Sequence, residues 1–116
     1  MTRAALPHRR QNETIDLDHN GHRFTVTVGY SEAGDPLEVF ADGAKIGTDM
    51  AHTVADACVI ISLALQHGCP AGSLVKSVGV VPDPFAGEDA TRPASVLGVI
   101  ARIVASARAP WAHDHG

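Results

Sequence analysis

Residues 49–68 read DMAHTVADACVIISLALQHG, and this stretch decides the fold. Met50, Val54, Ala57, Cys58, Ile61, Ala64 and Leu65 recur at spacings of three and four, which predicts a helix with a core-facing stripe. Thr48 or Asp49 supplies an oxygen to cap its first turn, because the opening amides of a helix have no partner within it. Gly68 suits the left-handed residue that ends a helix, and Pro70 stops the chain from continuing it. Val59, Ile60 and Leu63 fall outside the stripe, so the helix is apolar around most of its circumference. Such a helix either lies between other elements or turns one side to a second subunit.

Upstream, the period changes from helical to alternating. Ile15 and Leu17 alternate with Thr14, Asp16 and Asp18, as in a half-buried strand. His19-Asn20-Gly21-His22 follows, and Asn-Gly between alternating runs is a strong hairpin signal. Phe24, Val26, Val28 and Tyr30 define a second strand, residues 31–36 (SEAGDP) a turn, and residues 37–40 (LEVF) a third strand closed by Asp42-Gly43. Residues 44–48 lead into the helix. The expectation is an antiparallel three-stranded meander packed on the central helix.

Downstream, residues 71–78 fit a short helix carrying Leu74, Val75 and Val78 on one side. Residues 80–90 (VVPDPFAGEDA) hold two prolines, a glycine and three acids and read as an irregular loop. A last helix is expected over 93–108, capped by Thr91, with Pro93 in its first turn and an apolar face of Val96, Val99, Ile100, Ile103, Val104 and Ala107. The domain organisation is an N-terminal arm over 1–12, one α+β domain over 13–109, and a tail over 110–116. The arm carries Arg3, His8, Arg9 and Arg10 around Pro7 without periodicity.

The chain has 116 residues, a formal net charge of -4 and 45% hydrophobic residues, only 4% of residues being aromatic. One domain with a mainly aliphatic core fits these values. The acidic balance argues against gripping nucleic acid or an anionic membrane, and the longest apolar run is short of the roughly 20 residues a bilayer requires. Two cysteines without a secretory leader fit a reducing, cytoplasmic setting.

Cys58 sits on the main stripe and reads as a small buried hydrophobe; Cys69 lies beside the glycine that ends the helix. Eleven positions apart along a helix, they are too distant for a disulfide, which needs α-carbons within about 7 Å. Seven histidines raise the question of a metal. No HExxH or Cys-His spacing joins them, so zinc would need a site assembled from separate elements, and no cofactor is expected. His67 at a helix end has a simpler role as a favourable charge against the dipole. Asp83, Glu88 and Asp89 read as solvated loop acids. Gly29, Gly34, Gly43, Gly47 and Gly68 read as structural glycines at turns or element ends.

Three blocks together carry a family resemblance. Residues 7–10 (PHRR) precede the first strand. Residues 24–48 contain Gly34-x-Pro36-x-Glu38 and Lys45-x-Gly47. Residues 62–74 follow Ser62-x-x-Leu65-Gln66-x-Gly68-x-Pro70-x-x-x-Leu74. The chain resembles the small C-terminal domain of adenosylcobalamin-dependent ribonucleotide reductases, the TSCPD family, over residues 7–107. The family's Thr-Ser-Cys-Pro-Asp stretch reads Thr91-Arg92-Pro93-Ala94-Ser95 here, and no cysteine follows Cys69, so a zinc inference does not carry over. The resemblance also implies that cobalamin and the radical chemistry belong to a separate large barrel, so reductase activity by this chain alone is not expected.

The leading expectation is a non-catalytic accessory or binding module related to that domain, acting through a ribonucleotide reductase, another protein partner or a small ligand. Its surface combines Glu38, Lys45, Gln66, His67, Cys69, Pro70, Asp83 and Glu88. The apolar helix and the free edges of a short sheet favour a homodimer. One alternative is a small metal-dependent or nucleotide-acting enzyme using His52, His67 and a carboxylate. Another is an orphan scaffold dimer.

Overall fold

The computed structural model describes residues 12–43 and 48–108. Strands β1 (Asn12–His19), β2 (His22–Tyr30) and β3 (Pro36–Gly43) form an antiparallel sheet in the order β1-β2-β3. Asn20 and Gly21 both adopt positive φ, 51° and 81°, as a two-residue hairpin turn requires, and His19 pairs with His22 across it. The period of two puts Phe24, Val26, Val28 and Tyr30 on the core face of β2, all buried, with Leu37 and Val39 beside them from β3. On β1, Ile15 faces Val26 and Leu17 faces Phe24, both only half-buried because this strand lies at the sheet edge. The third strand is longer than expected, taking in Asp42-Gly43 as its last residues.

Helix α1 (Thr48–Gln66) buries Val54, Cys58, Ile61 and Leu65 against the sheet. Met50 departs from the expected stripe. It lies one turn before Val54, where β3 has already ended at Gly43, and is 45% exposed. The helix begins at Thr48, so Asp49 sits inside the first turn, where an acid complements the dipole, and not at the cap. At the other end Gly68 takes φ 91°, Cys69 N–H donates to Ala64 O (2.9 Å) and Gly68 N–H to Leu65 O (3.0 Å). These are the paired bonds of a Schellman ending. Helix α2 (Ala71–Ser77) follows from Pro70 and buries no residue fully; Leu74 packs against the core.

Two expectations fail next, for one shared reason. Residues 80–90 are not wholly irregular, because β4 (Val80–Pro82) and β5 (Thr91–Pro93) pair antiparallel, with Val81 opposite Arg92. Thr91 and Pro93 are therefore strand residues and do not start the last helix. Helix α3 spans Val96–Ser106, and its cap is Ser95, whose hydroxyl accepts from Gly98 N–H at 3.3 Å. Val96, Ile100, Ala101, Val104 and Ala107 are buried. Gly98 is needed for the close approach of α3 to β5: a Cβ there would lie 2.9 Å from Pro93 Cβ. Among the described residues no helix is long and apolar enough to cross a membrane. Residues 1–11 of the N-terminal arm, Lys45, Gly47 and the C-terminal tail lie outside the described residues, while Asn12 opens β1.

Candidate binding surface

An edge strand exposes backbone groups that need partners. For β3 they come from α1. Ser62 Oγ accepts from Val39 N–H at 3.0 Å and donates to Val39 O at 3.3 Å. One turn on, Gln66 Nε2 donates to Leu37 O at 3.0 Å, and Gln66 is only 2% exposed. Residues four apart on a helix lie one above the other, so the pair meets alternate residues of a strand beside it. The helix thus stands where a fourth strand would pair. The expectation of free sheet edges fails for β3 on this account.

On the outward face of the sheet, Glu38 is buried beside Gly29, which pairs with it on one side and with Asn12 on the other. A Cβ at Gly29 would lie 2.7 Å from both Glu38 Cγ and Oε1 and 3.0 Å from Asn12 Oδ1. Gly29 is therefore a packing requirement inside the paired region of β2, beyond the turn role expected of it. On the core face, Tyr30 Oη donates to Glu13 Oε1 at 2.9 Å. Burial, then the bond to Glu13 and its negative charge, push the Tyr30 phenol up to about 12. Burial, with Asp42 adding to it, likewise pushes the Cys58 thiol up to about 11, which suits an inert core thiol.

Two concavities flank the Ser62–Gln66 seam. A groove of about 570 Å³ runs between β3 and α1, lined by Glu38, Phe40, Asp42, Ala55, Val59 and Leu63 among others. A cleft of about 530 Å³ opens where the β2–β3 turn, the α1–α2 junction and the end of α3 meet; Ser31, Asp35, Cys69, Pro70 and Arg108 line it. The turn that forms one wall is held by Ser31 N–H to Asp35 O (2.8 Å) and by Gly34 at φ 89°.

The residues expected to share one surface are divided among these places. Glu38 and Gln66 border the groove, Gln66 with its amide committed to Leu37. Cys69, half-buried, and Pro70 border the cleft. His67 is exposed at the end of α1. Asp83 and Glu88 sit in the β4–β5 connection and line neither concavity. His52 and His67 lie at opposite ends of α1, fifteen residues and so about 22 Å apart. They cannot converge on one ion, which removes the site proposed for the small-enzyme alternative. Among the described residues no group of three or more His, Cys, Asp or Glu is placed to hold a metal.

The fold and its seam agree with the sequence blocks, and the family model of the TSCPD domain matches residues 2–108. The chain belongs to the TSCPD domain family. Neither the curated proteins nor the solved structures include one that matches it. The most specific block of the TSCPD resemblance acquires local roles. Ser62 and Gln66 hold the β3 edge, Leu65 fills the core, Gly68 turns the chain, and Pro70 opens α2 at the cleft. Gly34 and Pro36 shape the facing turn, and Glu38 packs beside Gly29. The TSCPD-named stretch is here β5 and the Ser95 cap. Ser62 is the residue that sequence reasoning placed in the block without a role. Its signal is a polar pair, Ser62 and Gln66, four apart within an apolar helix.

Proposed function

We propose that this TSCPD chain is a non-catalytic accessory or binding module, related to the C-terminal domain of ribonucleotide reductase, that engages a protein partner at the cleft beside Cys69 and Pro70. The observation that carries this reading is the convergence of two TSCPD blocks, residues 34–38 and 62–74, on the walls of that cleft. Its rim offers Asp35 and Arg108, a negative and a positive group at a hollow of mixed polar and apolar lining, which suits recognition of a polar peptide segment. The partner class favoured by the family is the catalytic chain of a ribonucleotide reductase, which would carry the cofactor and the chemistry.

Binding of the wild-type chain to that purified catalytic chain is the test, by calorimetry, beside the charge-reversal variants Asp35→Lys and Arg108→Glu. Each substitution is at an exposed position and should leave the fold intact. Each is expected to weaken binding about tenfold, equivalent to roughly 1.4 kcal/mol of lost contact. Equal binding by both variants would exclude the cleft.

A further inference from the structure

Four of the large apolar side chains exposed to solvent lie together around α1 and the adjoining edge of β3. Ile60 is 67% exposed, Val59 57%, Phe40 55% and Leu63 40%. Val59, Ile60 and Leu63 fall within about 100° of the helix circumference, on the side away from the buried Val54, Cys58, Ile61 and Leu65. Residues 57–66 contain no charged side chain at all. A helix facing water normally carries charge on its outer side, and a clustered apolar face marks a contact surface.

The ends of the same face indicate what covers it. Asp56 and His67, both exposed, lie on it eleven residues apart, on either side of Ile60 and Leu63. When two copies of α1 cross antiparallel with the two-fold level with residues 61 and 62, Ile60 of each meets Leu63 of the other. Asp56 of each then meets His67 of the other. The order of apolar and charged residues along this face is self-complementary, as an isologous interface requires. The dipoles of the two antiparallel helices also oppose favourably. The strip from His52 to His67 is about 22 Å long, and Phe40 flanks it across the groove from Val59 and Leu63.

We infer that the outer face of α1 is a dimerisation surface whose occupant is α1 of a second copy of this chain, crossing antiparallel about residues 61 and 62. The inference stands on the outer face of α1 with Phe40 beside it and goes beyond the partner cleft, which opens past His67 at Gly68, Cys69 and Pro70. Sedimentation equilibrium from micromolar to near-millimolar protein should give a reversible dimer for the wild type. Ile60→Asp should be monomeric with an unchanged helical circular dichroism spectrum. Phe85→Asp, at a fully exposed position in the β4–β5 connection, should dimerise like the wild type. In a Cys69→Ser background, Ile60→Cys combined with Leu63→Cys should be captured as a covalent dimer by a short bis-maleimide. A wild type that stays monomeric throughout, or a dimer that survives Ile60→Asp and gives no cross-link, overturns the inference. Either result leaves reductase binding at the cleft to be read independently.

Discussion

At the residue scale, two glycines separate packing from propensity. At Gly29 a side chain would overlap the buried Glu38, whereas nothing lies within 4 Å of a Cβ on Gly72 in α2. Gly29→Ala is expected to destabilise the fold by about 1–3 kcal/mol, as overpacking does. Gly72→Ala should stabilise it by about 0.5–1 kcal/mol through lost unfolded-state entropy. Urea midpoints of the two variants should move in opposite directions; a shift of the same sign would contradict the packing assigned to Gly29. Tyr30 offers a spectroscopic test, because it is the chain's one tyrosine. With its phenol raised from 10.0 to about 12, the neutral form is favoured by folding. That stability is fully present below pH 10 and is lost as pH rises through about 12. Tyrosinate absorbance should develop near the higher value in the folded chain and near 10 in urea; coincident curves would contradict the Tyr30–Glu13 contact.

At the element scale, α1 does the work of a missing strand. Ser62→Ala removes both bonds to Val39 and leaves its amide short of a partner, at a cost of about 1–3 kcal/mol. Native-state hydrogen exchange should then speed at Val39 while Val28, paired inside the sheet, keeps its protection. Unchanged exchange at Val39 would mean the helix does not seal the edge. The meander and α1 were legible in the sequence because their periods of two and 3.6 run long enough to be distinct, and because Asn20-Gly21 names its own turn. The ribbon β4–β5 was not, since three-residue strands ending in Pro82 and Pro93 show no alternation. That omission also misplaced α3: Thr91 and Pro93 resemble a helix start, and only their pairing with Pro82 and Val80 frees Ser95 to be the cap. Met50 was misassigned because helical spacing says nothing of where the opposing strand stops.

At the scale of the whole molecule, TSCPD membership over residues 2–108 covers every element of the fold. The block at 62–74 was legible as special, yet sequence could not divide its members between framework and surface. Gln66 reads like a ligand-binding amide until its bond to Leu37 is seen, and Asp83 and Glu88 read like neighbours of the site until β4 and β5 carry them elsewhere. The cleft at one end of α1 and the apolar strip along it both face solvent. The most direct test of the binding-module reading is a titration of the ¹⁵N-labelled chain with an unlabelled ribonucleotide reductase catalytic chain, followed by amide resonances. Saturable changes centred on residues 31–36, 68–72 and 105–108, with the amides of β1 unmoved, are the expected result. A folded spectrum that does not change, or changes confined to β1 or to the β4–β5 connection, would contradict it.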